Sequence, residues 1–218
     1  MGYCLHQWTR HISREWLCIN NHSTGDRRMS SIIKVDQIQL ADGSTPTAGD
    51  LGLNTTGSVL QVVNAIKTDT ESSTINNQVY SDIGDLSLTI TAKGTNSSFI
   101  ITYSVTGAHD DAADTGWTVR CVRNGSAFAQ GDQIGSNRGR TQSGIYNEPS
   151  DSGATNTINM TLMDSPSVSA GSTVTYKMQK TSVTVASSLV TINRASNDSD
   201  VIYRPTSVST LTVYEIAG

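Results

Sequence analysis

The chain has 218 residues, of which 36% are hydrophobic, 6% aromatic and 16% charged, and its net charge is −4. This length can bury a core, but there is no basic surplus to neutralise phosphates and no apolar run near the roughly 18 residues of a membrane span. We therefore expect neither nucleic-acid binding nor membrane insertion. The 29 Ser and 28 Thr residues, about a quarter of the chain, are typical of strands and turns.

Residues 1–28 differ from the rest of the chain, since they hold two of the three Trp, two of the three Cys and three of the four His. The break at Met29 predicts a leader that is either a non-native start or a disordered tail. The alternative is a short docking helix, because Trp8, Ile12 and Trp16 are spaced to share one helical face. Cys4 and His6 have one residue between them, which argues against a zinc site.

Residues 29–57 are predicted to be an extended anchoring arm. One strand-like stretch is followed by ten residues rich in turn formers, and this is too little apolar surface to fold alone. We therefore expect the arm to lie on something else. The apolar side chains expected to make that contact are Ile32, Ile33, Val35, Ile38 and Leu40.

Residues 58–218 are predicted to form an all-β domain, an antiparallel β-sandwich or jelly roll. Segments with apolar residues at alternate positions recur every 8–15 residues, separated by Gly, Ser, Asn and Asp. We predict strands at 58–66, 85–91, 99–105, 117–123, 158–162, 174–178, 183–185, 189–192 and 211–216. The first of these is expected to be a buried strand. Asn124-Gly125 between two such runs predicts a two-residue hairpin turn.

Four segments of the second half carry a resemblance: Asp164–Pro166, Gly171–Gln179, Val190–Arg194 and Ser209–Ile216. Together they resemble the closing module of bacteriophage virion proteins, particularly those of marine phages and cyanophages. The resemblance implies a fold rather like the TNF or C1q jelly roll, used as a fibre, knob or capsid decoration. It also implies a homotrimer on the exterior of the phage particle, docked to other virion proteins through the arm.

Catalytic motifs are not found in the sequence. After residue 28, His109 is the one histidine that could act as the general base of a Ser-His-Asp site. No Gly-x-Ser-x-Gly, phosphate-loop or His-Glu-x-x-His pattern occurs in the sequence. The acidic run 109–114 lacks the alternating acidic residues, central Gly and distal Glu of an EF-hand calcium loop. We expect no enzyme, no catalytic residue, no metal and no cofactor.

Three function classes remain. The first is the structural virion protein. The second is a tail adhesin that binds a host receptor or host surface glycan through the loops 107–116, 131–153 and 195–207. The third is a polysaccharide-cleaving enzyme, which needs a pair of carboxylates in one groove. The candidate surface-binding residues are Asp110, Asp111, Asp114, Arg138, Arg140 and Tyr146.

Overall fold

The structure is a computed structural model and describes residues 38–46, 49–52, 56–110, 115–147, 154–183 and 187–218. The chain divides into two units, 1–45 and 46–218. In the first unit, Gly43 N donates to Leu40 O at 2.9 Å and Leu40 N donates to Ser44 O at 2.9 Å, so a tight turn interrupts the predicted arm. Ile32, Ile33 and Val35 lie outside the described residues.

The described residues of the second unit form eleven strands. They are β1 (Val59–Lys67), β2 (Glu71–Asn76), β3 (Ser81–Thr91), β4 (Ser98–His109), β5 (Thr115–Arg123), β6 (Ser126–Ala127), β7 (Ser143–Asn147), β8 (Asn156–Asp164), β9 (Thr173–Ser182), β10 (Ser187–Ile192) and β11 (Ser209–Ile216). The described residues include no helix, and hence none that could cross a membrane.

The strands form two antiparallel sheets with jelly-roll connectivity. In the first sheet the order is β1-β11-β4-β8, and β10 and β2 extend it where β4 continues past β11. In the second sheet the order is β3-β9-β5-β7, with the short β6 beside β7 on the same side of β5. From β2 to β5 and again from β7 to β10, successive strands lie in opposite sheets, as in a jelly roll built from two Greek keys, which confirms the predicted fold class.

The core lies between the two sheets and is filled by the inward side chains of both. Trp117 and Phe99 are fully buried, and the Phe99 ring packs on Tyr176 with centroids 5.9 Å apart. The predicted alternation places apolar side chains in the core at every second position from Leu86 to Ile90 in β3 and from Phe99 to Val105 in β4. Every second residue of β11 is also buried, with Leu211 and Val213 between the polar Ser209 and Glu215. This periodic burial is why these strands can be recognised in the sequence.

The hairpin prediction is confirmed, whereas the prediction for β1 is partly wrong. Asn124 and Gly125 both have positive φ, 47° and 80°, and join β5 to β6. β1 is not a buried strand: it pairs only with β11 among the described strands, and Val62 and Ile66 are 52% and 55% exposed.

Two further strands, β2 and β7, have too few apolar residues to be predicted, since their sequences are ESSTIN and SGIYN. The predicted strand at 183–185 is not observed at Val183, which follows the end of β9, and Val185 lies outside the described residues.

Candidate ligand groove and outer sheet face

A groove of about 520 Å³ lies on the second sheet, beside the end of β9 and the start of β5. Its walls come from the segment before β3, from the loop that precedes β7 and from β7 itself. We call this site the groove. Its lining residues are Asn77, Gln78, Tyr80, Thr118, Asn137, Arg138, Gly139, Thr141, Tyr146, Thr181, Ser182 and Val183.

The floor of the groove is a transverse row of the sheet. Thr118 on β5 lies opposite Thr181 on β9 and opposite Gly144 on β7. A Cβ on Gly144 would lie 2.4 Å from Thr118 Cγ2, so only glycine lets β7 approach here. Thr118 is 8% exposed, and among the described residues its hydroxyl has no hydrogen-bond partner.

One wall of the groove is the exposed loop that carries Arg138, and its backbone is held from two sides. Gln78 Nε2 donates to Asn137 O at 2.9 Å, and Tyr80 OH donates to Arg140 O at 2.8 Å. From within the loop, Gln133 Nε2 donates to Arg138 O at 2.9 Å. These bonds set the position of the loop relative to β3.

A row of charged and polar side chains leads away from the groove across the outer face of the second sheet. Arg120 lies over the Tyr80 ring at 3.5 Å and donates to Gln179, which itself donates to Asp82 at 2.8 Å. Asp82 also pairs with Lys177 at 2.7 Å. Burial raises the pKa of Asp82, but the hydrogen bonds from Lys177 and Gln179 outweigh it and hold that pKa below its usual value.

The pKa of Arg120 is lowered by burial, and the nearby Tyr80 acts in the opposite direction. Even a lowered arginine pKa leaves the guanidinium charged at neutral pH. The border of the groove therefore keeps a permanent positive charge beside that of Arg138.

The groove brings together two of the candidate surface-binding residues. Arg138 and Tyr146 both line it, with Tyr146 57% exposed, and Arg140 reaches its edge through the backbone carbonyl that Tyr80 binds. Arg140 Nε is directed away, donating to Gly131 O at 2.8 Å.

The acidic candidates are placed elsewhere. Asp110 accepts hydrogen bonds from the hydroxyl of Ser188 and from Leu189 N, at 3.3 Å for the latter, so it fastens the end of β4 to β10. Asp111 and Asp114 lie outside the described residues. Within the described ranges, no group of three His, Cys, Asp or Glu side chains is arranged to hold a metal ion.

Sequence reasoning missed the other half of the groove, formed by Asn77, Gln78, Tyr80 and Thr118. These residues are about 60 positions or fewer from the Arg138 loop, yet none belongs to a motif. The one feature of the sequence that could have indicated a binding site here is the polar aromatic Tyr80, shortly before the predicted strand at 85–91. Trp117, the neighbour of Thr118 on β5, is fully buried in the core and does not face the groove.

The outer face of the first sheet is a second surface of interest. Val62, Tyr214, Ile100 and Met163 are paired in register across β1, β11, β4 and β8 and form an apolar row, in which Met163 is 64% exposed. The next row consists of Asn64, Thr212, Thr102 and Thr161. Asp, Glu, Lys and Arg do not occur among the outward side chains of these four strands. We call this surface the uncharged face.

No protein-family model matches the chain, and no curated protein matches it. Among solved structures, it is similar to the D431N mutant of the VP2 protein of infectious bursal disease virus in derived T=1 particles. That match has a TM-score of 0.35 and 15% identity over 72% of this chain and 36% of the VP2 chain.

A VP2 subviral particle of the same virus gives a TM-score of 0.35 and 14% identity, over 72% of this chain and 38% of that one. The chain spans little more than a third of the length of these viral proteins. A likeness of this strength leaves the function to be argued from the chain's own surfaces.

Proposed function

We propose that the chain is a non-enzymatic structural protein of a bacteriophage particle, a fibre, knob or capsid decoration on its exterior. The observation that carries the proposal is the jelly-roll connectivity, β1-β11-β4-β8 against β3-β9-β5-β7. Viral capsid domains are a large class of proteins with this architecture, and the argument from fold to role is one of analogy. The resemblance of 164–216 to phage virion modules supports the same role.

The proposed quaternary state is a homotrimer that buries the uncharged face. A side chain such as Val62 or Met163, a little more than half exposed, contributes about 1 kcal/mol when fully covered. Further copies of this chain are the occupants that this face suits, because covering it in a cyclic assembly desolvates no charge on the face itself.

The arm is proposed to dock on another virion protein. Its described apolar residues support this, since Ile38 is 51% exposed and Leu40 and Leu51 are also exposed. Pairing these side chains with a partner would remove apolar area from water.

Antibody labelling of intact particles tests the proposed role. Gold-labelled antibodies against residues 58–218 should decorate purified particles from the culture that encodes the chain. Decoration that appears only after particles are broken open would contradict an exterior position, and absence from both samples would contradict the virion role.

A second candidate function is a host-receptor or glycan-binding adhesin, which the groove favours. It combines an exposed tyrosine, an arginine and several side-chain amides in one concave site. The third class, a polysaccharide-cleaving enzyme, is less well supported, because none of the described residues that line the groove is Asp or Glu.

A further inference from the structure

The groove has the dimensions of a ligand site. Its volume of about 520 Å³ lies within the range of roughly 300–1,000 Å³ found for small-molecule pockets. It is already formed, because Gln78 and Tyr80 hold the Arg138 loop in place through the carbonyls of Asn137 and Arg140. Ligand binding would therefore cost little conformational entropy in this wall.

The lining suits a ligand rich in hydroxyl groups. The side-chain amides of Asn77, Gln78 and Asn137 offer both donors and acceptors, and the floor adds the Thr118 hydroxyl, which is buried without a described partner. Tyr146 adds an exposed ring, whose apolar face can cover the C–H groups of a sugar.

The positive charge of the groove favours hydroxyl-rich ligands that carry a negative charge. Arg138 is exposed on the lining, and Arg120 stands at the border over Tyr80. The nearest carboxylate in the outer-face row, Asp82, is already paired with Lys177 and Gln179. Arg138 makes no ion pair with any carboxylate that the structure describes, and its guanidinium is suited to bind a ligand carboxylate through two parallel hydrogen bonds.

We propose that the groove binds an acidic saccharide, a glycan segment that carries a uronate carboxylate, with Arg138 on the carboxylate and Tyr146 against the sugar ring. This inference deepens the adhesin candidate and rests on it. The structural role in the particle does not depend on it.

Calorimetric titration of the full chain tests the proposal, with a hexamer of galacturonate as the probe. The matched neutral probe is the same hexamer with its carboxyl groups methyl-esterified. We expect the acidic hexamer to bind, and to bind more weakly as salt rises from about 50 to about 500 mM, since screening acts on the exposed charge. The esterified hexamer should bind at least about tenfold more weakly, the size of one charge-assisted hydrogen bond.

Variants then locate the site. Arg138→Gln should weaken binding of the acidic hexamer about tenfold or more and leave the esterified hexamer unaffected, while Tyr146→Leu should weaken both. Lys93→Gln is the matched control, because it removes an exposed positive charge beyond the far end of β3 and should change nothing. Melting temperatures should stay within about a degree for the two charge variants, since both side chains are exposed.

Four results would overturn the proposal: no binding of the acidic hexamer, equal binding of both hexamers, wild-type affinity in Arg138→Gln, or equal competition by inorganic polyphosphate. The last would show a general anion site. Any of these would defeat the groove proposal while particle labelling stayed positive, so the two failures can be told apart.

Discussion

Glu215 on β11 is a buried carboxylate that makes no ion pair with any residue the structure describes. Its two oxygens accept hydrogen bonds from Lys93 N at 2.8 Å, Gly94 N at 2.9 Å, Ser97 Oγ at 2.7 Å and Gln61 Nε2 at 2.5 Å. Burial raises the pKa of Glu215, but these donors together lower it below its ordinary value. The residue thus fastens the turn after β3 to the last strand.

Glu215→Gln should destabilise the fold by about 2–3 kcal/mol at pH 7, because an amide nitrogen would face donors that now bind an oxygen. A folded-state pKa below the unfolded one gives stability that is present above the unfolded value, about 4.3, and is lost as the pH falls through the folded value. Urea unfolding from pH 7 to pH 3 should therefore show the gap between wild type and variant closing with acid.

Asp132→Asn is the control for this charge change, since Asp132 is exposed in the loop before the groove. Its unfolding free energy should follow the wild type at each pH. A gap for Glu215→Gln that stays constant down to pH 3 would contradict the assigned role of the ionised carboxylate.

At the scale of elements, a buried ionic cluster links the two sheets. Glu71, at the start of β2, pairs with Lys180 of β9 and with Lys67 of β1 at 3.5 Å, and it accepts a hydrogen bond from Gly84 N of β3 at 2.8 Å. Lys67 also pairs with Asp69 at 2.9 Å. Both lysines are almost wholly buried, so the cluster fixes β1 and β2 of the first sheet to β3 and β9 of the second.

Lys180→Met should cost about 3 kcal/mol, because it leaves Glu71 without its main partner. The double variant Lys180→Met/Glu71→Leu should recover at least half of that loss, since no uncompensated charge remains. Denaturant unfolding of both variants and of Glu71→Leu completes the cycle. Strictly additive losses would contradict a direct interaction between the two side chains.

At Gly144, β7 can lie close to β5 only because glycine has no side chain. Gly144→Ala should destabilise by about 1–3 kcal/mol and weaken binding in the groove, because the new Cβ would overlap the Thr118 methyl and push β7 outward. Gly131→Ala is the control, with its nearest atom 3.8 Å from an added Cβ. Equal melting temperatures for the two variants would show that β7 does not approach so closely.

The elements that could be predicted from the sequence are those with periodic burial. Alternate residues are buried in β3 from Leu86 to Ile90, in β4 from Phe99 to Val105 and along β11, and Asn124-Gly125 supplies the backbone conformation that its turn needs. β2 could not be predicted, because its stability comes from β10 and from the Glu71 contacts rather than from its own apolar residues. The same applies to β7, which pairs with β5.

The sites were harder to predict than the strands, because they depend on pairs far apart in the chain. Lys180 and Glu71 are 109 residues apart, and the groove joins residues near 80, 138 and 182. The sequence indicated Arg138 and Tyr146 as surface residues but carried no sign that they share a cavity. Asp110, chosen for its charge, binds the backbone and hydroxyl of its neighbour strand instead.

For the whole molecule, the proposed trimer makes a prediction about the uncharged face. Val62→Lys and Met163→Lys, made together, should give a folded monomer, because charges placed there would have to be buried in the interface. Ser87→Lys, exposed on the other sheet, is the control and should remain trimeric. Light scattering of the full chain at tens of micromolar should give three times the chain mass of 23.2 kDa for wild type and control.

A wild-type mass of one chain would contradict the trimer. An unchanged trimer in the double lysine variant would show that another surface makes the interface.

Quantitative mass spectrometry of gradient-purified particles tests the central claim most directly. The account predicts that peptides of this chain sediment with the particles at a fixed ratio to the major structural protein, with a copy number that is a multiple of three. Peptides found only in the soluble fraction of the lysate, or at a ratio that falls with each round of purification, would contradict it.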